Sequence, residues 1–104
     1  FDSKWEAERL GELTAMEKAG YIVDLERQVS YDLVVNDQKI CKYVADFRYN
    51  KVDDYGNLEQ VVEDAKGVET QEFKLKKKLM KALFNIEIIL SKKNNNNFLK
   101  IPLT

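Results

Sequence analysis

The stretch Glu59–Leu90, EQVVEDAKGVETQEFKLKKKLMKALFNIEIIL, decides the fold. Val61 and Val62 sit in a β-type run over about Glu59 to Lys66 that ends in three charges, Glu63, Asp64 and Lys66, before Gly67. Thr70 then supplies an N-cap, and the spacing predicts a helix to about Phe84. Leu75, Leu79, Ala82 and Leu83 are expected on its buried side, while Lys74, Lys78 and Lys81 share an exposed face. Ile86 to Leu90 is a short apolar run that reads as a strand. A strand, a helix and a strand in this order predict a right-handed β-α-β crossover with the two strands parallel. Gly67 serves the turn that frees the chain into the helix.

Outward from this unit, Ser3-Lys4-Trp5-Glu6 has capping-box spacing, so a helix is expected to start near Ser3. Trp5, Leu10, Leu13, Ala15 and Met16 give it an apolar stripe, and Gly20 suits its C-terminal end. Residues 29–35 alternate with period 2, Asn36-Asp37 offers a turn, and residues 40–49 read as a second strand. In that strand Tyr43, Ala45 and Phe47 are expected on one face, with Val44 and Asp46 on the other. Residues 51–57 form a polar loop with Gly56. Asn94 to Asn97 is a low-complexity turn, and Phe98 to Leu103 is read as an edge strand ended by Pro102. The whole is one α/β domain over residues 1–104, in the order helix, three meandering strands, helix, strand, with a mixed sheet flanked by helices.

With 104 residues, 44% of them apolar and 34% charged, the chain can build one modest core and is not a disordered segment. No membrane span or signal peptide is visible. The lone Cys41 excludes an internal disulfide and points to a reducing, cytoplasmic compartment (the host cytoplasm, if a phage encodes the chain). One Cys and no His exclude a zinc site of the usual ligand types. The net charge of −1 hides an asymmetry: residues 1–67 carry a balance of −6 and residues 68–104 one of +5. An acidic half beside a basic half fits a metal site next to a polyanion surface, and fits equally a solvated helix face.

Strand parity separates the charges of the opening stretch. Side chains two apart share a face, so Asp64 and Lys66 point together while Glu63 points away. If the second and third strands pair across the 51–57 loop, Asp46 meets Asp64. Two carboxylates, the Ala65 carbonyl and waters make a normal Mg²⁺ environment. Lys66 beside them would orient or deprotonate a water, a nucleophile suited to a phosphodiester.

In these features the chain resembles the PD-(D/E)XK nuclease superfamily, whose core order is αβββαβ. It resembles more closely a small phage-borne branch of unknown function, similar in style to archaeal Holliday-junction resolvases and transposon-end nucleases. The resemblance rests on F-D-S-K-x-E-A-E-R (Phe1 to Arg9), L-E-x-Q (Leu25 to Gln28), Y-x-A-D-F (Tyr43 to Phe47) and V-E-D-x-K-G-x-x-T-x-x-F-x-x-K (Val62 to Lys76). It departs in one respect, since Ala45 stands where the superfamily name has Pro. The resemblance implies a Mg²⁺-dependent endonuclease, with Mn²⁺ able to substitute, acting on DNA and particularly on branched or recombination intermediates. Glu6, Asp46 and Asp64 would be the carboxylates of catalysis and of the metal, with the Ala65 carbonyl as a further ligand and Lys66 as the catalytic lysine. Gln28, Thr70, Gln71, Lys74 and Lys78 would contact nucleic acid. Cutting two strands calls for two active sites, so a homodimer is expected.

Each residue also has a plainer role. Glu6 serves equally well as the capping-box partner of Ser3, and Glu8 competes as the helix carboxylate. Asp64 with Lys66 reads also as a surface ion pair. A nuclease-like binding module without catalysis, docking DNA or protein, is the alternative function, and the net negative charge favours it.

Overall fold

The computed structural model describes residues 3–66 and 68–92. Helix α1 (Ser3–Lys18) leads into β1 (Ile22–Val35), β2 (Gln38–Val52) and β3 (Leu58–Ala65). Helix α2 (Gln71–Phe84) follows, and β4 (Ile88–Ser91) closes the order. The four strands lie in one sheet in sequence order, antiparallel from β1 to β3, with β4 parallel to β3. This is a mixed-sheet α/β fold with the expected αβββαβ order. The Asn94–Asn97 turn and the edge strand over 98–103 lie outside the described residues.

The strands are longer than their alternation suggests. β1 starts seven residues before Val29; its first half pairs with β2 and is anchored by the buried Ile22, while Asp24, Glu26, Arg27 and Gln28 are exposed. The hairpin turn is at Asn36-Asp37, both left-handed (φ 51° and 64°), which matches the twist of the flanking strands. At the other end of β2 the Asp53 carboxylate accepts the backbone N–H groups of Tyr55 and Asn57, so a local side-chain bond makes the turn.

Two core clusters sit on the sheet. Trp5 and Leu13 of α1 pack with Ile22, Phe47, Tyr49, Val61 and Ala65. Phe73 and Met80 of α2 pack with Leu33, Tyr43, Ala45, Val62 and Ile88. Phe47 therefore does not share a layer with Tyr43 and Ala45, although it has their parity. Val61 and Val62, adjacent on β3, belong to different clusters, so the clusters lie on opposite faces. The β2 row changes face between Ala45 and Phe47, where the β2–β3 ladder ends. Asp46 stands at the crossing.

The buried face of α2 also differs from the expected one. Phe73 and Met80 are buried, whereas Leu75, Ala82 and Leu83 are exposed and only Leu79 is half-buried. Counting leucines favours the wrong stripe, because one Phe and one Met seven residues apart suffice to seat the helix on Tyr43, Val62 and Ile88. Thr70 caps α2 as expected, its hydroxyl accepting the Phe73 N–H at 3.1 Å. No helix among the described residues is long and apolar enough to cross a membrane.

Candidate active site at the end of the β2–β3 ladder

The β2–β3 ladder runs from Val52 opposite Leu58 to Phe47 opposite Glu63 and stops there. One rung further the partners would be Asp46 and Asp64, and side chains take over from the backbone. The Asp46 N–H donates to Asp64 Oδ1, and the Ala65 N–H donates to Asp46 Oδ2, each at 2.9 Å. Two carboxylates are thereby held side by side in a largely buried place, which without such donors would be costly.

Asp64 is 1% exposed. Its Oδ2 accepts the Tyr43 hydroxyl at 2.7 Å and lies 3.7 Å from Lys66 Nζ. Burial pushes its carboxyl up to about 6, and the charge of Asp46 adds to this. The Tyr43 hydroxyl, the Asp46 N–H and Lys66 pull the other way. Burial and the bond to Asp64 hold the Tyr43 phenol well above its usual range, so Tyr43 acts as a donor. Lys66 Nζ also stands 5.0 Å above the Phe73 ring, which fixes the ammonium between the carboxylate and α2.

Helix α1 brings Glu6 to the same place. Burial, and next the charge of Asp46, raise its carboxyl above the usual range. Gln28 Nε2 donates to Glu6 Oε2 at 3.0 Å, and Arg27 lies 4.0 Å from the same oxygen. The Glu6 side chain thus reaches across to β1. Glu8 is exposed on the same helix. Gln28 falls opposite Asp46, between the strand pairs Arg27–Phe47 and Val29–Ala45, and has a left-handed backbone (φ 53°). A non-glycine residue in that region stores strain, and here it lies beside the acidic cluster.

Glu63 belongs to the other face, as parity requires. It is fully buried and takes Arg9 Nε at 2.6 Å, Arg9 Nη2 at 3.1 Å and the Tyr49 hydroxyl at 2.7 Å. Burial works against the Arg9 charge, but Glu63 outweighs it and holds the guanidinium firmly protonated. This network ties α1 to β3 and so indirectly sets where Glu6 stands.

The structure brings Glu6, Gln28, Asp46, Asp64 and Lys66 together. Thr70 is near them at the start of α2, while Gln71, Lys74 and Lys78 are exposed along that helix. Sequence reasoning missed Tyr43 as the partner of Asp64. The Y-x-A-D spacing carried a hint, but the tyrosine hydroxyl finds Asp64 only because β3 lies beside β2. Among the described residues no three Asp, Glu, Cys or His side chains converge on one ion position. The pair Asp46 and Asp64, with the neighbouring Ala65 carbonyl, is an all-oxygen donor set of the kind hard divalent cations take.

A family described as "Protein of unknown function (DUF1064)" matches residues 1–95, and the chain belongs to it. No curated protein and no solved structure matches the chain.

Proposed function

We propose that this protein is a metal-dependent endonuclease of the PD-(D/E)XK type that hydrolyses DNA phosphodiesters, acting on branched or recombination intermediates. The observation that carries the reading is the end of the β2–β3 ladder, where Asp46 and Asp64 lock each other through backbone N–H groups and Lys66 lies against Asp64. Asp46, Asp64 and the Ala65 carbonyl would hold Mg²⁺ or Mn²⁺, with Glu6 next to Asp46. A bound divalent ion supplies a lowered pKa for water and screening of the phosphate charge. The protein does the rest. Tyr43 and the Asp46 N–H hold the Asp64 carboxylate in one orientation, so its geometry costs nothing at the moment of reaction. Lys66 orients the attacking water, and its ammonium offsets charge building on the phosphate. Gln28 and Arg27 keep the Glu6 carboxylate turned toward the site.

The half-buried, unpaired thiol of Cys41 supports a reducing compartment such as the cytoplasm. One observation favours the alternative of a binding module without catalysis: both oxygens of Asp64 already have protein donors. Incubating a plasmid and a synthetic four-way junction with Mg²⁺ separates the two readings. Cutting that is lost in Asp64→Ala and in Lys66→Ala supports the nuclease. Cutting that persists unchanged in both removes the assigned site, and wild-type binding without cutting supports the module.

A further inference from the structure

A cavity of about 330 Å³ opens between β2 and the start of α2. Its lining includes Lys42 from β2, Lys66 from the end of β3 and Lys76 from α2, three cations from three separate elements. Tyr43, Val44, Thr70 and Phe73 also line it, with Glu72 as the one acidic residue among the described residues. Two of these side chains belong also to the candidate active site. Tyr43 gives its hydroxyl to Asp64, and Lys66 Nζ stands 3.7 Å from Asp64 and 5.0 Å above Phe73. The cavity is thus the immediate neighbour of the carboxylates, and its charge is the opposite of theirs.

We infer that this cavity binds the phosphodiester next to the one that is cut, through Lys42 and Lys76 with Lys66 shared between the two positions. The inference rests on the nuclease reading for there being a bond that is cut, though not for the binding itself. An acidic site alone repels a nucleic acid strand. A cationic cavity sharing a wall with it draws the backbone across, because phosphate contacts dominate nucleic-acid affinity. Lys76 is paired with Glu72 at 2.8 Å, but Glu72 is 75% exposed and a pair of that kind is readily exchanged for a phosphate. Glu72 then acts against binding. Lys74 and Lys78 lie on another flank of α2, since roughly 100° per residue turns them well away from Lys76, and they do not line the cavity.

The test is fluorescence anisotropy of a labelled duplex of about 20 base pairs in EDTA, where nothing is cut, over roughly 50–200 mM salt. Lys42→Gln and Lys76→Gln should each weaken binding about threefold or more, together about tenfold, and each should lower the salt slope by about 1. Glu72→Gln should strengthen binding, and Lys74→Gln with Lys78→Gln should change it less than the cavity pair does. Equal binding by the Lys42 and Lys76 variants, a larger loss from Lys74 and Lys78, or no duplex binding by the wild type would each overturn the inference. Metal-dependent cutting by the wild type, measured separately, tests the nuclease reading. Binding through the cavity lysines without cutting sinks that reading and spares this one, while cutting with unaffected lysine variants does the reverse.

Discussion

The Asp46 backbone N–H donates to Asp64 Oδ1 at 2.9 Å, so a side chain of one strand replaces the ladder bond of the next. With the return bond from the Ala65 N–H to Asp46, it converts the end of a sheet into a rigid acidic pair. Strands that part under such control leave carboxylates at a fixed separation, which an ordinary frayed strand end does not.

The acidic pair should bind Mn²⁺ saturably by calorimetry, and Asp46→Ala should abolish the signal. Asp64, with its carboxyl at about 6, and Glu6, also raised, must lose protons for the ion to bind. Affinity is therefore expected to fall roughly tenfold between about pH 7 and about pH 5. A pH-independent affinity would contradict the assignment of Asp64 as a ligand.

Stability should report the same group. Asp64 holds its proton up to about pH 6 when folded, against 3.8 for the ordinary value. The folded state therefore binds more protons in that window. Its contribution is full below about pH 4, declines as pH rises through about 6, and stays low above. In Asp64→Asn the side-chain oxygen still accepts the Asp46 N–H, and the amide can donate to the Tyr43 oxygen. That variant should lose the slope and, near pH 8, gain on the order of 1–2 kcal/mol. Urea midpoints across this range decide it; a variant less stable than wild type at pH 8 would go against the burial argument.

Arg9 and Glu63 form a buried pair whose members are worth little separately. Arg9→Met leaves a carboxylate with no cation in a fully buried place and should cost about 3–5 kcal/mol. Adding Glu63→Gln removes that charge and should recover much of the loss. Denaturant unfolding of the two singles and the double variant measures the coupling, and additive losses would mean the pair does not interact as described.

The face of α2 is open to a direct comparison. Phe73→Ala should destabilise by about 3–5 kcal/mol, whereas Leu75→Ala should stay within about 0.5 kcal/mol. Thermal or urea unfolding of the two variants measures this. The opposite ranking would restore the leucine stripe as the buried one.

The order of elements was legible in the sequence because it depends on local signals. Thr70 caps a helix by its own hydroxyl, Asn36-Asp37 turns a hairpin by tolerating positive φ, and strand parity sets Glu63 apart from Asp64. These act over a few residues, so composition and spacing carry them. Tertiary structure alone decided which stripe of α2 is buried and that Tyr43 holds Asp64. It also decided that Glu6 reaches Gln28 and that Lys42 and Lys76 meet Lys66 around one cavity. Those contacts join residues on different elements and depend on how the sheet twists and how each helix seats. The energy that selects them comes from packing spread over the core, which no single stretch of sequence contains.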